Sequence, residues 1–113
     1  MMRGYDREEA IAYMAGAINR KTHQQIEGLI DSMIAEAIDA DMAFMHKTGV
    51  IDAEGNAGNA YYDDDDAFES ILDVLVSKHK LNADDALTVA EFLDDFFDLQ
   101  QNYLESKGLV DWD

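Results

Sequence analysis

The apolar residues of this 113-residue chain recur at helical spacing in four successive segments, and this periodicity restricts the fold more than any other feature. No proline occurs anywhere in the chain, so no segment is interrupted by that residue. Short connections between amphipathic helices favour antiparallel neighbours. We therefore predict a single all-α domain over residues 1–113, an antiparallel four-helix bundle with a short β-hairpin or compact loop between helices 2 and 3.

Capping signals predict the ends of the first two helices. Asp6 followed by Glu9 has the form of an N-terminal cap, which predicts a first helix over residues 7–19. Residues 22–25 have the form of a second capping box, so a second helix is predicted to start there and to stop at Gly49. One helix continuous through both segments is the alternative.

The second half of the chain carries equally clear signals. Four aspartates at 63–66 suit the positive end of a third helix, and Asn82 is predicted to cap a fourth that stops at Gly108. Residues 49–62 place β-forming residues on either side of a segment rich in Gly and Asn, which is typical of a short hairpin or a compact loop. The apolar tail, residues 109–113, is expected to dock on the core or on a second subunit.

Charge limits the class of partner. The chain has 25 acidic and 8 basic residues, a formal net charge of −17, and only residues 1–21 are nearly neutral. Such a surface repels nucleic acid and anionic membranes and attracts cations. We predict no direct nucleic-acid or membrane binding, and a basic protein surface as the partner. The absence of Cys, of a secretory signal and of a long apolar run predicts a cytoplasmic protein.

The acids of the last two helices are the predicted partner-binding residues. One row on helix 4 recurs every seven residues, a rise of about 10.5 Å, close to the advance of about 10.2 Å for three base pairs of duplex DNA. Helical drift is only about 20° per heptad, so the row is nearly straight. The predicted partner-binding residues are Asp63, Asp64, Asp65, Asp66, Asp84, Glu91, Asp94, Asp95, Asp98 and Glu105.

Two ExxD patterns supply an enzymatic alternative. Glu36 and Asp39 form one pair, and Glu91 and Asp94 form the other. This form is similar to the metal-binding carboxylates of the MazG-like all-α nucleotide pyrophosphatases. The resemblance implies that these four residues bind Mg²⁺ and activate water for nucleotide hydrolysis.

Other catalytic signatures are weak in this sequence. The three histidines are isolated, and no glycine-rich phosphate loop or paired nucleophile and base is evident. The leading hypothesis is therefore a non-enzymatic acidic interaction protein without a cofactor, in its sharper form a DNA-mimic inhibitor of a nucleic-acid-binding protein. A homodimeric helical protein, acidic only for solubility, is the remaining alternative.

Overall fold

The computed structural model describes residues 2–109, and within them four α-helices and one 3₁₀ segment are joined by short loops. Helix α1 spans Arg7–Ala17, α2 spans Ile30–Thr48, α3 spans Asp64–His79 and α4 spans Ala83–Ser106. A 3₁₀ segment, Arg20–Leu29, leads from α1 into α2. No strand occurs in these described residues, and the prediction of an all-α fold is confirmed for them.

The four helices pack around one hydrophobic core. α1 and α3 each contact α2 and α4, and α2 and α4 also contact each other. The Cα radius of gyration is 13.8 Å, close to the value of about 13 Å typical of a compact domain of this size. This packing agrees with a four-helix bundle, while the antiparallel order stays a prediction. Among the largest fully buried side chains are Met14, Ile30, Ile34, Ile71, Leu75, Phe92 and Phe96.

The predicted helix caps are present. The side chains of Asp6, Asp63 and Asn82 each accept a hydrogen bond from a backbone N–H two or three residues further on. Gly49 ends α2 in the left-handed conformation with φ 83°, and Gly108 follows α4 with φ 67°. These signals depend only on neighbouring residues, which is why the sequence could reveal them.

The predicted start of helix 2 is wrong, and so is the alternative of one continuous helix. Ile18 is extended (φ −67°, ψ 140°), which ends α1 before residue 19, and the side chain of Asn19 caps the 3₁₀ segment. His23 and Ile26 have non-helical dihedral angles within that segment, and both side chains are buried. Burial against the other helices therefore overrides the local capping pattern at 22–25.

Of the two forms predicted between helices 2 and 3, the hairpin is wrong, and the structure has a compact loop between α2 and α3. Ile51 and Ala57 form one isolated antiparallel bridge, and the described residues contain no strand on either side of it. The Asp52 carboxylate accepts hydrogen bonds from the backbone N–H groups of residues 54 and 56, and Gly55 turns the chain with φ 84°. These hydrogen bonds turn the chain back within a few residues, which leaves no extended stretch long enough to form a pair of strands.

Contacts between the two ends of the described chain close α1 onto α4. The Tyr5 ring meets the Tyr103 ring edge-on at 5.0 Å between centroids, and the Tyr103 hydroxyl donates to Glu9 at 3.0 Å. Lys107 forms an ion pair with the same Glu9 carboxylate. Leu109 packs against the core, as predicted for the start of the apolar tail, whereas residues 110–113 lie outside the described residues.

Candidate functional site: an acidic pocket between α3 and α4

A pocket of about 400 Å³ opens between the N-terminal end of α3 and the middle of α4. Its inner wall is completed by α2 and by residues that lie before α1 and after α2. Half of the described lining residues are apolar or aromatic, so the pocket offers a surface that a non-polar part of a ligand can contact. The apolar and aromatic lining residues are Met2, Met45, Val50, Tyr62, Phe68, Phe97 and Leu104.

Among the described residues, five carboxylates and no Lys, Arg or His side chain line the same pocket. Four of them are exposed and one, Asp41, is buried. Within residues 2–109 none of the five forms an ion pair, because the basic residues that form ion pairs contact other acids. The pocket is therefore strongly electronegative. The lining carboxylates are Asp41, Asp64, Asp65, Asp94 and Asp98.

Helix geometry explains how α3 and α4 each supply two acids and one aromatic ring. Asp64 and Asp65 lie in the first turn of α3, where the helix dipole favours negative charge, and Phe68 follows one turn later. Asp94 and Asp98 are four residues apart and so share one face of α4, with Phe97 beside them. The Phe68 and Phe97 rings stack at 5.9 Å between centroids with 25° between their planes.

A buried hydrogen-bond network holds the inner wall of the pocket. Tyr62 donates from its hydroxyl to Asp41 Oδ1 at 2.7 Å, and Gln100 donates from Nε2 to Asp41 Oδ2 at 3.0 Å. The Tyr5 hydroxyl in turn donates to Gln100 Oε1 at 2.5 Å. Both oxygens of the buried carboxylate thus have a donor, which offsets part of the cost of removing it from water.

Burial changes the acidity of this network. Burial raises the pKa of the Asp41 carboxyl, and the hydrogen bonds from Tyr62 and Gln100 oppose part of that rise. Burial and the neighbouring Asp41 also raise the pKa of the Tyr62 hydroxyl, so Tyr62 keeps the proton that it donates. The network therefore couples the stability of the fold to pH through Asp41.

We expect a pH dependence of the difference in free energy of unfolding between the unmodified protein and the variant Asp41→Asn. The unmodified protein should lose stability relative to the variant as pH rises above about 4. Above that pH an unfolded chain has released the Asp41 proton, whereas the folded protein, with its raised pKa, still holds it. Stability then decreases with pH by at most about 1.4 kcal/mol per unit until the raised pKa is passed. Urea denaturation of both proteins at constant ionic strength measures this, and a difference that does not change with pH would contradict it.

The structure brings together four of the ten predicted partner-binding acids. Asp64 and Asp65 meet Asp94 and Asp98 at the pocket, although about thirty residues separate the two pairs in sequence. Three more of the predicted acids lie on α4, exposed and outside the pocket lining, and Asp66 of α3 is exposed as well. These three predicted acids of α4 are Asp84, Glu91 and Glu105.

Two predicted acids have structural partners instead. Asp63 caps α3 through bonds from two backbone N–H groups. Asp95 is half-buried, and its carboxylate contacts His23 Nε2 at 2.6 Å, joining α4 to the 3₁₀ segment. Neither side chain is as available for a partner as its position in the sequence suggested.

Sequence reasoning missed the inner wall of the pocket. Asp41 lies on the apolar stripe of helix 2, four residues after Ala37 and four before Met45, and an acid at that position is the signal that could have found it. Its partner Gln100 is 59 residues away. Tyr62 packs against Phe44 at 6.0 Å between ring centroids, whereas Tyr61 is 89% exposed.

The four carboxylates of the magnesium alternative are not gathered into a metal site. Asp39 is held by Arg7 through two bonds of 2.8 and 2.9 Å, and Glu36 pairs with His79 at 3.0 Å and with Lys78 at 3.4 Å. Within the described part of the chain, no group of three or more His, Cys, Asp or Glu residues could hold a metal ion. The geometry therefore gives no support to hydrolysis through Glu36, Asp39, Glu91 and Asp94.

We compared the chain with models of protein families, with curated proteins and with solved structures. None of these matches it. Among the helices of residues 2–109, none has both the length and the apolar character needed to cross a membrane. The pocket and the charge around it are therefore the features that bear on function.

Proposed function

We propose that this protein is a non-enzymatic acidic binding protein whose α3–α4 face accepts a basic surface of another protein. One observation carries the proposal: exposed carboxylates from two helices converge on a pocket that has no basic side chain among its described lining residues. Solubility requires only that charged side chains lie on the surface, and it does not require acids from two helices to meet at one pocket. The proposed setting is the cytoplasm, as the sequence predicts.

The sharper form of the proposal is that the partner is a nucleic-acid-binding protein and that its nucleic-acid site is the surface covered. Three observations support this form. α4 is continuous over 24 residues, and the heptad acids Asp84, Glu91, Asp98 and Glu105 are all exposed along it. Neighbouring acids of this row are seven residues apart, which along the helix is about the length of three base pairs of duplex DNA. The net charge of −17 gives long-range attraction to a basic groove.

Capture from a cell lysate at low salt, followed by elution with a salt step and identification of the eluted protein, tests the general form. We expect a basic protein whose affinity falls about tenfold or more between about 0.05 M and about 0.3 M salt, because screening weakens interactions between exposed charges. Affinity that does not change over this range, or the recovery of no basic protein, would contradict the proposal. Light scattering on the isolated protein measures its molar mass and so tests the alternative that the protein is a homodimer.

A matched pair of variants tests whether the α3–α4 face is the binding surface. E91Q/D94N/D98N removes three exposed acids of α4, and E8Q/E27Q/D73N removes three exposed acids that do not line the pocket. We expect the first variant to slow association with the captured partner about tenfold and the second to slow it much less. Equal slowing would mean that only the total charge matters.

The inhibitor form has its own test. If the captured partner binds labelled nucleic acid, this protein should displace it stoichiometrically at low salt, and E91Q/D94N/D98N should need about tenfold more protein to do so. Simultaneous binding of the partner to the nucleic acid and to this protein would rule out the inhibitor form and leave the general proposal standing.

A further inference from the structure

The pocket has the size of a site for one side chain or small ligand. Its volume of about 400 Å³ lies at the lower end of the range found for ligand pockets, about 300–1,000 Å³. It is built from segments between Met2 and Leu104 that the fold brings together, so its shape is fixed by the core and not by a loop alone.

The walls suit a ligand with a non-polar stem and a flat group. Phe68 and Phe97 are partly exposed, and their rings are nearly parallel. Met45 and Leu104 add aliphatic surface deeper in the bundle. Packing a methylene chain against such walls removes its apolar surface from water at little cost in free energy. A planar cation is stabilised further when it lies on the face of an aromatic ring.

The charge of the lining excludes most other ligand classes. An anion would meet four exposed carboxylates, with no basic side chain among the described lining residues. A neutral apolar ligand would remove water from those four carboxylates without replacing its hydrogen bonds. Both oxygens of Asp41 already accept bonds within the protein. The acids open to a ligand are therefore Asp64 and Asp65 from one side and Asp94 and Asp98 from the other.

We propose that this pocket receives an arginine side chain projecting from the basic partner, an inference that depends on the proposed function. Arginine fits better than lysine for two reasons. Its planar guanidinium can stack on Phe68 or Phe97, and its fork of five N–H donors can bond carboxylates from both helices at once. An arginine buried in this way is the kind of central anchor that carries most of the affinity of an interface.

Titration with amide-capped arginine, N-acetyl-arginine amide, tests the site on the whole protein without the partner. Saturable changes in the NMR spectrum are expected for residues 64–68 and 94–101. N-acetyl-lysine amide should bind about fivefold more weakly, because it lacks the stacking and the fork. N-acetyl-citrulline amide, which has nearly the same shape without the charge, should bind at least about tenfold more weakly. Shifts spread evenly over all acidic residues, or equal binding of arginine and lysine, would overturn the inference.

Two double variants supply the control. D94N/D98N removes two pocket acids four residues apart on α4, and E69Q/D73N removes two exposed acids four residues apart on α3 that do not line the pocket. We expect the first to weaken arginine binding about tenfold and the second to leave it within about twofold. Circular dichroism checks that both remain folded, and equal weakening by the two would overturn the assignment.

A further variant separates stacking from charge. Phe97→Leu keeps an apolar side chain in place of the ring, so the fold should persist while the preference for arginine over lysine becomes smaller. The preference that remains is due to the fork of donors and to Phe68. If the captured partner is retained equally by D94N/D98N and E69Q/D73N, the arginine anchor is wrong and the general proposal stands. If no basic partner is captured at all, the proposed function itself fails.

Discussion

Replacing Gly58 with alanine is expected to lower the free energy of unfolding by about 2–3 kcal/mol, because overpacking against rigid atoms costs energy of this order. A Cβ at position 58 would lie 2.0 Å from the carbonyl oxygen of Gly49 and 3.0 Å from its carbon. Both atoms are backbone, so no side chain can rotate away. The Gly58 N–H also donates to the Val50 carbonyl at 2.8 Å, a bond that the required shift would lengthen.

Gly16→Ala is the matched control for this substitution. Gly16 lies inside α1, and a Cβ there would meet no atom within 4 Å. We expect a gain of about 0.5–1 kcal/mol, since alanine is the better helix former. Chemical denaturation of the three proteins measures both effects. Similar stability of the two variants would show that the compact loop adjusts easily and that its contact with the end of α2 is not rigid.

Replacing Gln100 with leucine is expected to cost about 2–4 kcal/mol at neutral pH, the range for removing one partner from a buried polar or charged group. Asp41 would lose the donor at Oδ2, and the Tyr5 hydroxyl would lose its acceptor. All three residues are buried, so water cannot easily replace these bonds. The cost should be smaller at about pH 4, because a protonated Asp41 carries no charge to be left without a partner.

Gln101→Leu tests the same chemical change one residue further along α4. The Gln101 side chain is exposed and bonds only to the exposed Glu105 among the described residues. Its replacement should change the free energy of unfolding by no more than about 0.5 kcal/mol. If both leucine variants unfold at the same denaturant concentration, the hydrogen bonds of Gln100 stabilise the fold no more than an apolar side chain at the same position would.

The features that could be predicted from the sequence are those set by nearby residues. The caps at Asp6, Asp63 and Asn82 and the glycine after α2 need only a few residues to form, and the apolar stripes that they delimit are periodic. The start of the second helix could not be predicted in this way. The irregular 3₁₀ segment depends on burying His23 against Asp95, which lies 72 residues further on.

The candidate site could be predicted only in part for the same reason. The acids of α3 and α4 were identified as two separate groups, since charge is visible in a sequence and juxtaposition is not. The pocket that joins them depends on the packing of α3 against α4. Asp41 and Gln100 acquire their roles solely through each other, at a separation of 59 residues.

The contacts that close α1 onto α4 join residues 94 to 98 positions apart, including Glu9 and Tyr103. Such distant pairs form late because a long segment must first be ordered between them. During synthesis, α1 and α3 cannot pack against α4 until α4 has left the ribosome. Until then, the apolar surfaces of α1 and α3 that contact α4 are exposed, and at this stage the nascent chain offers most apolar surface to a chaperone.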